Sequence, residues 1–303
     1  MGKKKRSTDI KLLLSLYLLL APAIILLFIF NYVPMYGIII AFMDFHIWGG
    51  IRGSDWVGLR NFERFLTDPT FWRVLRNTLI ISAYDLIFVF TAPIIFALLA
   101  NEIFNLRFKK IMQTISYLPH FISWVVVAGL FHQALSPVSG FVNQFLGLFG
   151  IEPIFFMTEP GLFRGVLIIA EIWKTVGWSA ILFFAVIAGI DTEQYEAARI
   201  DGAGRFKQAI YITLPGMLPM IVLLFLMRVS NIFNVGFERV FLMQTPLVWS
   251  VSDIIATYTF RVGIQQSQFS LTTAITTVQS VIAFTLILAS NWLSKKISGM
   301  GLF

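Results

Sequence analysis

The 303-residue sequence has no cysteine, only three histidines and 13% charged residues. Without thiols there is no disulfide framework and no thiolate metal site, and the redox compartment goes unread. His46, His120 and His132 fall in no H-E-x-x-H spacing, no G-x-S-x-G elbow exists, and no G-x-x-x-x-G-K-[ST] loop is present to cradle a nucleotide phosphate. Each histidine reads as a loop or helix-end residue. No internal repeat or low-complexity linker appears, and no polar stretch exceeds 36 residues, which leaves no room for a separate enzyme domain. The formal charge of +7 does not indicate nucleic acid, because the basic residues gather at the ends of apolar runs rather than on an aromatic-interleaved surface.

What fills the sequence instead is apolar: 57% hydrophobic and 16% aromatic residues, the composition of a membrane protein. A hydrocarbon layer of about 30 Å takes roughly 20 helical residues. Six stretches qualify, near 12–31, 77–99, 111–131, 163–189, 216–234 and 271–293. The expected fold class is therefore all-α, a polytopic membrane protein with six transmembrane helices. "KKKR" before the first stretch and "APA" within it resemble a secretory signal, but the apolar run continues through "IILLFIF" to Phe30, so a retained helix is expected.

Placing the N-terminus in the cytoplasm puts thirteen Lys and Arg in 56 inside positions, against seven in 100 outside positions. That bias predicts both termini cytoplasmic. The outside loops are then 44–76, 132–162 and 235–270, with "NFERFLTDPTFWRVLRN" in the first alternating charge and aromatics as an interfacial helix does. The chain divides into 1–76 (tail, first helix and outer segment), a transmembrane core over 77–293 with a polar loop at 190–215, and a tail over 294–303.

That polar loop is the most informative stretch. In "DTEQYEAARIDGAGRFKQAIYITLP", Asp191 or Thr192 can cap a helix, with Gln194 in a capping-box-like position. Ala197 and Ala198 continue it with little bulk, and Gly202 supplies a left-handed stop. A second short helix is expected from Ala203 to about Tyr211, with Pro215 in the first turn of the next spanning helix. Such a hairpin is too small to bury both of its apolar faces, so it suits insertion into a partner's groove.

Glu196-Ala197-Ala198, Gly202, Ile212 and Leu214-Pro215 reproduce the whole E-A-A-x3-G-x9-I-x-L-P pattern of permease subunits of binding-protein-dependent ATP-binding-cassette importers. "GLRNFERFLTDPTFWRVLRNTL", "YLPHFISWVVVAGL" and "NVGFERVFLM" resemble the sugar-importing branch, above all permeases for oligosaccharides and plant polysaccharide fragments. The resemblance implies a type I ABC importer permease fold and no bond-making chemistry in this chain. It implies an ATPase-coupling site formed by Glu196, Ala197, Ala198, Asp201 and Gly202, with Leu214 and Pro215 setting where helix five begins. The implied partners are a second permease in a heterodimer, two ATP-binding-cassette ATPase subunits that carry ATP and Mg, and an extracytoplasmic solute-binding protein. No cofactor is expected in this chain. ATP binding would close the ATPases, draw the coupling helices together and open the path outward.

Ionisable residues inside a spanning helix cost on the order of 2.5–3.5 kcal/mol, so they default to cavities or pairs. Glu171, Lys174 and Trp178 share one face of helix four, and Arg228, Asn231 and Asn234 form a stripe on helix five. Glu171 and Lys174 read equally as an internal ion pair or as path lining. For Asn231 and Asn234 a path-lining role is favoured, because maltose-importing members of the family place two asparagines three apart at the sugar site, and an aromatic at the position of Trp178. Glu171, Lys174 and Arg228 differ in type from their counterparts there. Two cations suggest a substrate bearing carboxylates, as uronic acids do, with Asp85 as a counter-charge for one of them. An ion-gradient-driven secondary transporter is the rival reading, and predicts broken helices and inverted repeats. A membrane scaffold that binds an ATPase without conducting anything is a second, separated by sugar flux in proteoliposomes.

Overall fold

A bilayer offers no partner to a free backbone N–H or C=O, so a chain this poor in charge closes its hydrogen bonds within helices. The computed structural model describes residues 10–298 and is helical almost throughout. The basic residues before position 10, and 299–303 of the expected 294–303 tail, lie outside the described residues. The chain forms two compact units.

The first unit comprises the described residues up to Thr67 together with Val262–Val278. Helix α1 (Ile10–Leu27) runs on through a π turn (Phe28–Tyr32) and a 3-10 segment (Val33–Phe42) into a two-stranded hairpin, β1 (Met43–Asp44) and β2 (Asp55–Trp56), then α2 (Arg60–Thr67). Asn61 ties hairpin and helix by donating to the carbonyls of Ala41 and Met43, both at 2.9 Å. The apolar stretch Leu13–Phe42 buries 0% of its most apolar window against the rest of the chain, which leaves that side-chain surface to lipid or another subunit.

The second unit, Asp68–Arg261 with the chain from Gln279 onward, carries the bundle. Its elements are α3 (Pro69–Tyr84), a π turn at Asp85–Val89, α4 (Thr91–Asn101), α5 (Leu106–Tyr117), α6 (Trp124–Ala134), α7 (Phe141–Gly147) and α8 (Pro160–Ala188). There follow α9 (Thr192–Ile200), α10 (Arg205–Gln208), α11 (Leu214–Ser230), α12 (Phe237–Met243), α13 (Trp249–Ser252) and α14 (Ile255–Thr259). The last helix, α15 (Phe269–Ser298), belongs to both units. Helix α8 is the hub, with α4, α5 and α11 packed along it. Phe163, Leu167, Val240, Met243 and Ile254 form a core toward its N-terminal end, and Ala97, Ala180, Phe183 and Met217 another toward its C-terminal end.

Among the described residues, five continuous helical stretches are long and apolar enough to span: Leu13–Phe42, Pro69–Asn101, Pro160–Ala188, Arg205–Ser230 and Phe269–Trp292. The sixth, expected as one helix near 111–131, is a pair, Leu106–Phe121 and Trp124–Ala134, bent by 104°. The break has a local cause. Pro119 forces a 3-10 turn, Ile122 is extended (φ −78°, ψ 134°), and Ser123 caps the next helix through Val126 N–H.

Two further expectations change. The second short helix after Gly202 does not end near Tyr211, because α10, a π turn (Ala209–Thr213) and α11 form one helical run, Arg205–Ser230. Leu214 and Pro215 therefore lie inside that run. Pro215 has no N–H and crowds the carbonyl four residues back, and the wider π turn accommodates it, with Leu214 N–H reaching Ala209 O. Nor is 235–261 an open outer loop: α12, α13 and α14 fold back onto α3, α6 and α8, and bury Arg239, Asp253 and Thr257.

Candidate functional site

The polar loop folds from its own residues. Asp191 accepts Glu193 N–H at 2.9 Å and starts α9, while Gln194 completes no reciprocal bond. At the other end Asp201 is the C-cap and Gly202 adopts φ +75°, with Gly202 N–H to Arg199 O at 3.1 Å and Ala203 N–H to Ala198 O at 2.8 Å. This double closure is a Schellman ending, which a glycine enters without the Cβ clash of a left-handed residue. Tyr195 Oη lies 3.0 Å from Thr213 Oγ1 and pins α9 to the base of the long helix. Glu196, Ala197, Asp201 and Gly202 are exposed and Ala198 half-buried, beside Ile200 at 87% exposure and Phe206 at 79%. Leu214 is half-buried and Pro215 exposed, farther along the helix. The result is a fixed projection with apolar side chains facing out.

Away from this knob lies an open cavity of about 720 Å³. Glu171, Thr175, Trp178 and Ser179 reach it from α8, and Arg228, Asn231 and Asn234 from the end of α11. Helix α11 stops at Ser230, so the asparagines are not a helical stripe: Asn231 is the C-cap and Asn234 N–H closes a turn on Asn231 O at 2.8 Å. Unwinding brings both to the cavity wall, exposed. Planar amides beside a half-exposed indole (44%) suit the hydrogen-bonding rims and C–H faces of sugars.

The charges pair differently from the expectation. Glu171 does not pair with Lys174. Its carboxylate meets Arg239 Nη1 at 3.2 Å, while Arg239 makes a two-pronged contact with Asp85 at 3.1 and 2.9 Å and also donates to Val235 O at 2.9 Å. Asp85 thus neutralises Arg239 rather than Lys174 or Arg228. Arg239 is 1% exposed, and a guanidinium so placed needs its donors filled. Sequence reasoning missed it, because it stands in what reads as a loop. "NVGFERVFLM" held the available signal, an arginine among apolar residues with Asp85 and Glu171 isolated in spans.

Lys174 does not line the cavity. It is 8% exposed, and its ammonium donates to the carbonyls of His120 (2.8 Å), Pro119 (3.4 Å) and Ile122. Of these, Pro119 O also accepts Ile122 N–H at 3.2 Å, while the carbonyls of His120 and Ile122 have no backbone partner among the described residues, so the lysine serves as a C-terminal cap. The guanidinium of Arg228, in contrast, has no hydrogen-bond or ion-pair partner among the described residues, and Arg228 borders both the cavity and a small recess beside Asp85.

Spanning helices, a projecting knob and an open, largely apolar cavity edged by Glu171, Arg228, Asn231 and Asn234 define the membrane-embedded subunit of a transporter. The profile of the family described as "Binding-protein-dependent transport system inner membrane component" matches residues 89–299, and the chain belongs to that family. Protein LplB of Bacillus subtilis (strain 168) is 42% identical over 288 residues, covering 95% of this chain and 91% of that protein. The polygalacturonan/rhamnogalacturonan transport system permease protein YteP of the same organism is 40% identical over 303 residues, covering 99% and 94%. A chain of a bacterial ABC transporter involved in the import of the acidic polysaccharide alginate superposes with TM-score 0.89 at 38% identity, over 96% of this chain and 98% of that one. In a second structure that transporter is in complex with an alginate pentasaccharide-bound periplasmic protein, with TM-score 0.89 at 37% identity, over 99% and 100% of the two chains.

The chain is thus a multi-pass bacterial membrane protein with the type I permease fold, a permease subunit of an ABC oligosaccharide importer. It is not an enzyme, and ATP hydrolysis falls to a partner subunit. A second permease, ATPase subunits and a solute-binding protein complete the system.

Proposed function

We propose that the substrate is an acidic, uronate-containing oligosaccharide that passes through the cavity bounded by Glu171, Trp178, Arg228, Asn231 and Asn234. One observation carries this reading. Arg239 occupies both nearby carboxylates, Asp85 and Glu171, whereas Arg228 stands at the wall without a partner, so the uncompensated charge offered to a ligand is positive. A guanidinium matches a sugar carboxylate in shape and charge. The substrates for which the similar proteins are named, polygalacturonan, rhamnogalacturonan and alginate, are acidic polymers, which supports the same class.

Glu196, Ala197, Ala198, Asp201 and Gly202 dock into the ATPase subunit, which holds ATP and Mg, and Leu214 and Pro215 set the stiff base through which movement is passed on. Both termini are cytoplasmic, on the side of that loop, in keeping with the excess of basic residues there. The test is uptake by proteoliposomes containing the whole assembly and its solute-binding protein, with trigalacturonate and a neutral trisaccharide as cargo. Trigalacturonate is expected to enter, and Arg228→Gln to lower its uptake about tenfold, as loss of about 1.4 kcal/mol implies. A preference for the neutral sugar, or an Arg228→Gln variant as active as the parent, rejects the acidic substrate.

A further inference from the structure

The lysine of α8 is withdrawn from the cavity, yet its neighbours are not. Trp178, one turn on, lines the cavity, and its indole is stacked on the His120 ring at a centroid distance of 4.4 Å and an interplanar angle of 1°. Phe121 meets the same indole edge-on, at 5.6 Å and 83°. His120 and Phe121 belong to the bend whose carbonyls Lys174 caps. Between Lys174 and Trp178 comes Gly177, where α8 presses on α5: an added Cβ would collide with the backbone carbonyl of Ser116. One turn of α8 therefore fixes the bent span by ion–dipole bonds at Lys174, by backbone contact at Gly177 and by ring stacking at Trp178.

Burying a cation is costly unless its donors are filled, and here three main-chain carbonyls fill them. The carbonyls of His120 and Ile122 are free for the ammonium because the span is broken, so the lysine and the bend stabilise each other. Removing the ammonium leaves the carbonyls of His120 and Ile122 unpaired and favours a straighter helix. A straighter helix carries His120 off the indole. Trp178 then loses the ring covering one of its faces and, with it, the orientation in which its remaining face meets the cavity.

We infer that Lys174 is a positioning residue for sugar transport: by capping the broken span it holds the His120–Trp178 stack that presents an aromatic platform to the passing oligosaccharide. The inference rests on the reading of the cavity as the sugar path, and the two can fail separately. Trigalacturonate uptake is compared in proteoliposomes of the full assembly for Lys174→Met and His120→Ala, each alone and combined with Trp178→Ala. Trp178→Ala is expected to lower uptake about tenfold, and Lys174→Met and His120→Ala to do the same in the parent but nothing further once Trp178 is gone. A lysine with a merely structural role would lower uptake by the same factor in both backgrounds, which overturns the inference. Should Lys174→Met not assemble, His120→Ala decides, since the cap uses only main-chain atoms of that residue: normal uptake by this variant overturns the inference while a defective Trp178→Ala keeps the cavity reading. Normal uptake by Trp178→Ala rejects both.

Discussion

The projecting knob and the cavity are built by opposite means. In the knob the bonds that start and stop α9 join residues two to five apart, Asp191 to Glu193, Arg199 to Gly202 and Ala198 to Ala203, and the one that pins it, Tyr195 to Thr213, only 18. Behind the cavity wall the charged contacts join residues far apart, with Asp85 and Arg239 separated by 154 positions and Lys174 and His120 by 54. The caps of a local motif are specified by neighbouring residues, whereas the charge contacts behind the wall exist only once distant helices have packed. The knob is therefore legible as sequence and exposed for a partner, while the wall is hidden from sequence and hinges on a few buried groups.

The sharpest way to break this contrast is at Arg239. Arg239→Met strands Asp85 and Glu171 without their cation, and loss of one member of a buried ion cluster costs about 3–5 kcal/mol. Thermal unfolding in detergent is expected to show a large loss of stability, with little folded protein recovered. A variant as stable as the parent would mean that long-range polar pairing does not hold the wall.

At the knob the effect is smaller on stability and falls instead on assembly. Gly202→Val forces a β-branched residue into a left-handed conformation, a strain of roughly 1–2 kcal/mol confined to one turn. The helix bundle should unfold at nearly its parent temperature, while the ATPase subunit separates during size-exclusion chromatography and uptake is lost. If assembly and uptake survive, the knob is not where the ATPase engages.

The smallest expected change sharpens the comparison. Asp191→Ala removes a single N-cap bond, worth about 1 kcal/mol, and leaves the Schellman ending intact. The permease should still assemble, with ATPase affinity lowered about fivefold in a titration. A loss as large as that of Gly202→Val would show that the two ends of α9 are not independent.

How far the sequence could be read follows from the same division. Asp191 as cap and Gly202 as stop were legible because side-chain chemistry and backbone preference act within one turn. The bend near Pro119 was half legible: proline marks a break, but neither the 104° angle nor the ammonium that arrives from α8 to bond the His120 carbonyl can be read from neighbours in sequence. Asn231 and Asn234 were read as sharing a wall and do, though by unwinding after Ser230 rather than by helical periodicity. Lys174 was read as part of that wall or as the partner of Glu171, and is neither, because periodicity gives the face of a helix but not what the neighbouring helix offers.

By itself the sequence determined the class of protein, the number of apolar stretches, the knob and its caps, since each depends on composition or on bonds within a few residues. Only the tertiary structure decided which charges are spent on one another and which one remains for a ligand. Coulombic pairing in a medium without water depends on distance in space, and neighbours in space at Arg239, Asp85 and Glu171 are strangers along the chain.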